Sequence, residues 1–142
     1  MNTVTVPANY KPTEKETYMN PVMLEYFRQR LLHWKTEIVK EADEMLQELQ
    51  HEGGLQESDI ADRASVETEV ALELRARDRQ RKLISKIDEA LERITRGEYG
   101  YCEETGEPIG IKRLEARPVA TLSVEAQERH ERKERTQRDE RE

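Results

Sequence analysis

Between Pro21 and Pro108 the chain carries no proline, and between Gly54 and Gly97 no glycine. Proline and glycine are the residues that end helices, so these long uninterrupted runs restrict the fold more than any other feature. Within the first run Leu24, Phe27, Leu31, Trp34, Ile38, Ala42, Met45 and Leu49 recur at steps of three and four residues, the period of one helix face. Asn20 suits the N-cap, and Pro21 the first helical position, where a missing N–H costs nothing. The pair Gly53-Gly54 then stops the helix. After a short polar loop, a second helix is expected to start near Asp59 or Asp62 and to end at Gly97. Its stripe is Leu72, Ala76, Leu83, Ile87, Ala90 and Ile94, interrupted near Arg79. At a rise of 1.5 Å per residue each helix is about 50 Å long. A loop so short folds them antiparallel. The expectation is a mainly α protein built on a long antiparallel coiled-coil hairpin over residues 20–97, with its tip near 55–65.

Composition agrees with helices and raises one rival. Of 142 residues 39% are charged and 5% aromatic, and the mean hydropathy is −1.00, so a conventional core would be thin. Disorder shares that composition, but it does not explain two matched apolar stripes with a turn between them. A single cysteine excludes an internal disulfide and suits a reducing cytosol. No run is apolar enough to span a membrane and no signal peptide is visible, so a cytoplasmic location is expected.

Beyond Gly97 the character changes. Four of the six glycines fall in residues 97–110, with Tyr99, Tyr101, Ile109, Ile111, Leu114 and Val119 as candidate core. Short strands and turns are expected here, forming a small knuckle over 98–122. Residues 1–19 form an extended N-terminal segment, and 123–142 a charged C-terminal helix and tail. The knuckle has the layout of a zinc ribbon: a pair at Cys102 and Thr105, seventeen intervening residues, then a pair at Ser123 and Ala126. Structural zinc needs four thiolate, imidazole or carboxylate ligands. Hydroxyls are poor substitutes, alanine supplies nothing, and His130 would add at most a second donor. No zinc is expected, and the knuckle must be held by packing. Cys102 reads as a small buried residue.

Charge is unevenly spread. Residues 41–74 hold eleven acidic side chains and one basic one, Arg63, within a chain of net charge −7. Glu44, Glu48 and Glu52 stand near the end of the first helix, where the macrodipole disfavours anions. The cluster reads either as a solvated acidic face, with Asp59 and Asp62 as helix caps, or as an acidic probe presented to a basic channel or a metal. An anionic protein gains no counterion-release affinity for duplex DNA, so direct DNA binding is not expected. The basic run "RARDRQRK" at 75–82 is either a solvated face paired with neighbouring acids or a contact surface. No nucleophile–base pair, phosphate loop or complete metal site is present, so an independent enzyme is not expected.

Three stretches carry a resemblance: "SDIADRAS", "LELRARDRQRKLISKIDEALERI" and "GEYGYCEETGEPIGIKRLEARP". From about Tyr18 to about residue 130 the chain resembles the DksA/TraR-type family of bacterial RNA polymerase-binding transcription factors, in a cysteine-poor form with a degenerate zinc ribbon. The resemblance implies a monomer that inserts its hairpin into the secondary channel of RNA polymerase without touching DNA. There it destabilises open promoter complexes. With ppGpp, in the stringent response, it represses ribosomal RNA promoters and activates amino-acid biosynthesis promoters. The family's tip motif falls on Asp59, Asp62 and Ala64, and a contact to the polymerase rim on Arg79. The ppGpp site, formed between factor and polymerase, falls on Leu83, Lys86 and Arg117, where a lysine and an arginine can clamp phosphates. A fourth position, a lysine in the family, is Gln127 here; its neutral amide can hydrogen-bond phosphate but adds no Coulomb attraction. Two other classes remain open: a transcript-cleavage factor of the Gre type, holding magnesium on tip carboxylates, and a plain coiled-coil scaffold.

Overall fold

The computed structural model of the chain describes residues 4–51 and 60–141. Among these described residues there are four helices: α1 (Pro21–His51), α2 (Ile60–Arg96), α3 (Ile111–Ala116) and α4 (Val124–Arg141). They divide between two compact units, Met1–Leu31 with Glu89–Glu142, and Leu32–Asp88. No helix among the described residues is long and apolar enough to cross a membrane.

The helix ends follow their local chemistry. Asn20 caps α1: its Oδ1 accepts the Met23 N–H at 3.0 Å and its carbonyl the Leu24 N–H at 2.9 Å. Pro21 follows at the first helical position, where no donor is wanted. The C-terminus of α2 stops in a Schellman motif. The Glu98 N–H reaches the Arg93 carbonyl at 2.9 Å and the Gly97 N–H the Ile94 carbonyl at 3.1 Å, with Gly97 at φ 76°.

In the unit Leu32–Asp88 the two helices run antiparallel, tied near one end by Lys35 Nζ to Asp88 Oδ1 at 2.7 Å. Ile38 and Ile87 are its buried apolar residues, flanked by half-buried Trp34, Ala42 and Met45 on α1. On α2 the inward positions Val66, Val70, Glu73, Arg77, Gln80, Ile84 and Ile87 recur in steps of four and three, with half-buried Ala76 and Leu83 beside them. That is the heptad seam of a coiled coil. It corrects the expected stripe at one place: Leu72 lies outside the seam, 55% exposed, and Glu73 takes the inward position. Helix geometry explains the swap. Val66, Val70, Ile84 and Ile87 fix the rotation of α2, and a rigid helix then carries residue 73 inward whatever its side chain.

The other unit holds the main core. Met23, Phe27 and Leu31 of α1 pack with Ala90 of α2, Tyr99, Cys102, Ile109, Ile111, Leu114 and Ala126. Tyr99 lies 5.7 Å from Phe27, ring centre to ring centre, and its hydroxyl donates to the Pro118 carbonyl at 2.8 Å. Buried Arg93 donates to the Glu98 and Tyr101 carbonyls at 3.1 and 2.8 Å and pairs with Glu103 at 3.2 Å. Tyr18 bridges two backbone segments, donating to the Gly100 carbonyl at 2.7 Å and accepting the Gly110 N–H at 3.0 Å. Burial raises the pKa of this phenol, outweighing the Gly110 hydrogen bond, so the donor proton stays in place.

The short strands expected in the knuckle reduce, among the described residues, to one isolated antiparallel bridge, Tyr101 with Pro108, and the helix α3 follows instead. Pro108 has no N–H to extend a ladder. Gly100, Gly106 and Gly110 all have positive φ and turn the chain back before a strand can form. Gly100 is the most constrained: at φ 91°, an added Cβ would lie 2.9 Å from Met19 Cε and Cγ. Gly100→Ala is therefore expected to destabilise the protein by about 2 kcal/mol, read as a lower urea midpoint with unchanged slope.

Candidate functional site

Six of the acidic residues between 41 and 74 are described and exposed: Glu41, Asp43, Glu44, Glu48, Glu67 and Glu69. None makes an ion pair among the described residues. Like charge is thus gathered without local relief, which works against the stability of the hairpin rather than for it. Of the expected tip residues, Asp59 lies outside the described residues. Asp62 falls in the first turn of α2, and its side chain is likewise not described. Ala64 is exposed on the face of α2 that also carries Thr68, Ala71 and Arg75.

The basic run follows about three turns after Ala64. Asp78 pairs with Lys82 at 3.2 Å, one helical turn apart. Arg75 and Arg79 are exposed and make no ion pair among the described residues, so local pairing accounts for only part of this cluster. Leu83 is half-buried and Lys86 exposed, one turn apart on α2. The other two expected effector residues belong to the unit that contains the knuckle. Arg117 follows α3, exposed, with its backbone N–H on the Arg113 carbonyl at 2.7 Å. Gln127 lies in the first turns of α4, half-buried, its Nε2 donating to Glu131 at 3.3 Å.

At the four ligand-like positions every group has another task. Cys102 is buried, and Thr105 donates its hydroxyl to the sulfur. The Thr105 oxygen in turn accepts the Glu107 N–H at 3.2 Å. Ser123 caps α4, its Oγ accepting the Ala126 N–H at 3.2 Å. Ala126 is fully buried, filling space with a methyl group. His130 does not turn inward: it is exposed and bonded to Glu104. One thiol, two engaged hydroxyls and a methyl group do not fit zinc, and no cluster of metal-binding side chains occurs among the described residues. The knuckle closes instead through Tyr18, Arg93, Tyr99 and the backbone pairs Cys102 N–H to Glu107 O (2.8 Å) and Glu103 N–H to Thr121 O (2.9 Å).

Cys102 keeps one property of a metal-ligand thiol. Burial pushes its pKa up, but the Thr105 hydroxyl and the backbone N–H groups of Ser123, Thr105 and Glu104 outweigh it, giving about 6. An unfolded cysteine titrates near 8.5. The folded state therefore binds fewer protons between these values, and the stabilisation is complete above about 8.5 and lost as pH falls through 6. Relative to Cys102→Ser, the parent should gain on the order of 1 kcal/mol per pH unit from pH 6 to 8.5 in denaturant unfolding. A pH-independent difference would contradict this.

Arg93 was not legible as a structural clamp, being one of many basic residues on α2; only its position just before the Gly97 stop hinted at a contact with the following loop. The outward leucines Leu72 and Leu74 were also missed as a pair. No sequence signal marked them, because apolar periodicity assigns Leu72 to the inward stripe.

Fold and site together define a coiled-coil hairpin protein with a ribbon-like knuckle whose four ligand positions, Cys102, Thr105, Ser123 and Ala126, do not fit zinc. Residues 23–94 match the family described as DnaK suppressor protein DksA, N-terminal domain, and residues 97–132 the prokaryotic dksA/traR C4-type zinc finger. A relative from Caulobacter vibrioides (strain NA1000 / CB15N), named RNA polymerase-binding transcription factor DksA, is 62% identical over 92% of this chain and 93% of its own length. Its namesake in Escherichia coli (strain K12) is 42% identical over 83% of this chain and 78% of its own. The solved structure of transcription factor DksA2 from Pseudomonas aeruginosa matches with a TM-score of 0.75 and 47% identity, covering 83% of this chain and 90% of that one. The chain belongs to the DksA family.

Proposed function

We propose that this chain is a non-catalytic regulator of transcription initiation that binds RNA polymerase through its secondary channel, without contacting DNA. Asp59, Asp62 and Ala64 form the tip that approaches the polymerase active site, and Arg79 meets the channel rim. The effector ppGpp binds where factor and polymerase meet, with Lys86 and Arg117 on its phosphates, Leu83 against it and Gln127 as a neutral hydrogen-bonding partner. The result is a shorter-lived open complex: ribosomal promoters are repressed and amino-acid biosynthesis promoters activated. The factor acts as a cytoplasmic monomer.

Beside family membership, the observation that supports this reading most is the set of six exposed carboxylates, without ion pairs among the described residues, on one part of the hairpin. An arrangement that weakens the free protein is explained when a cationic surface receives it. Sedimentation of the purified chain with core polymerase in the absence of DNA tests the partner. Co-migration that weakens with salt is expected; separate migration at low salt contradicts the reading. Stimulated cleavage of backtracked transcripts would instead favour a Gre-type role.

A further inference from the structure

Helix α3 is six residues long, so most of its carbonyls need partners from outside the helix. It leads directly into Arg117, whose backbone N–H is bonded to the Arg113 carbonyl. The tie that holds this end down comes from α1. Arg30 forks onto Glu115: Nη1 donates to the carboxylate at 3.1 Å and Nη2 to the Glu115 carbonyl at 3.2 Å. The two residues lie 85 positions apart in the chain and belong to the same compact unit, Met1–Leu31 with Glu89–Glu142.

The guanidinium is itself held in place. It stands 5.8 Å from the centre of the Tyr26 ring, one helical turn earlier on α1, and Tyr10 packs edge-on against that ring at 5.7 Å. Burial raises the pKa of the Tyr26 phenol, and its hydrogen bond to Glu115 raises it further. Glu115 thus takes two partners from α1.

Charge matters here as much as contact. Arg117 is exposed and makes no ion pair among the described residues, and Glu115 stands two residues before it. Left bare, that carboxylate would compete with a phosphate for the Arg117 guanidinium and repel the arriving anion. Arg30 occupies the carboxylate and cancels its charge.

We propose that Arg30 is a positioning residue for the effector site: through Glu115 it fixes the turn that carries Arg117 and leaves Arg117 free for the phosphates of ppGpp. Arg30 acts through Glu115 and does not touch the effector. The inference rests on the reading of Arg117 as a phosphate-binding residue.

Open-complex lifetime with purified RNA polymerase is measured across a ppGpp titration for the full chain, Arg30→Leu, Arg30→Leu/Glu115→Gln and Arg117→Ala. The melting temperature of each free protein is recorded. Arg30→Leu should raise the half-effective ppGpp concentration about tenfold while leaving the lifetime without ppGpp within about twofold of the parent's. The double variant restores neither hydrogen bond of Arg30 but removes the bare carboxylate, and should recover at least about threefold of that loss. Parental ppGpp sensitivity in Arg30→Leu overturns the proposal. So does a double variant no more sensitive than Arg30→Leu, or a ppGpp-free effect that falls in step with melting temperature, for either assigns the pair to packing alone. A parent that responds to ppGpp alongside an Arg117→Ala variant that responds equally removes Arg117 from the site, and the proposal with it. A parent without any ppGpp response removes the effector reading as a whole.

Discussion

Asp62→Asn is expected to leave affinity for RNA polymerase nearly unchanged while weakening inhibition at a ribosomal promoter by about tenfold, the loss of one hydrogen bond to a charged group. The substitution keeps the shape and removes the charge. Asp62 lies in the first turn of α2, so its charge also favours the helix dipole, but that contribution is only about 0.5 kcal/mol and does not unfold the hairpin. Binding and inhibition therefore separate. A purified transcription assay with matched occupancy reads the difference. Equal inhibition by variant and parent would remove the carboxylate from the mechanism and leave Asp62 as a helix-start residue.

The largest expected effect on stability is at Phe27. Its ring is fully buried, 5.2 Å from Tyr26 and 5.7 Å from Tyr99, centre to centre. Phe27→Ala removes a ring that positions Tyr99, whose hydroxyl holds the Pro118 carbonyl. Such truncations cost about 4 kcal/mol, a large part of the ~5–15 kcal/mol that holds a typical domain. Phe27→Leu, which keeps most of the volume, should cost about 1 kcal/mol. Urea unfolding followed by tyrosine fluorescence measures both. A loss below about 1 kcal/mol for the alanine variant would mean that closure of the knuckle does not depend on this packing.

Helix boundaries were legible where local chemistry decides them. Asn20, Pro21 and Gly97 each act within a few residues of their own position, and each does what its type permits. The apolar face of α1 was legible for the same reason, although Met23, buried beneath the knuckle, was not among its expected members. Glu73 was not. Periodicity read from apolar side chains selects Leu72, but the rotation of α2 is set by Val66 and Val70 on one side and by Ile84 and Ile87 on the other. The incomplete ligand set of the knuckle was legible, because ligand count is a property of residue types. Its architecture was not, because α3 and the Arg93 clamp depend on contacts between segments with no periodic signal. At the candidate site the acidic cluster was plain in the sequence and, apart from inward Glu73, stands exposed where described. Asp59 remains a motif position outside the described residues.

The central claim is that this hairpin changes the state of a transcribing enzyme rather than only adhering to it. The lifetime of open complexes formed by purified RNA polymerase on a ribosomal promoter, challenged with competitor and compared with and without the chain and ppGpp, tests this most directly. The account predicts a shorter lifetime with the chain alone and a further shortening with ppGpp. A lifetime unchanged at saturating chain would contradict it.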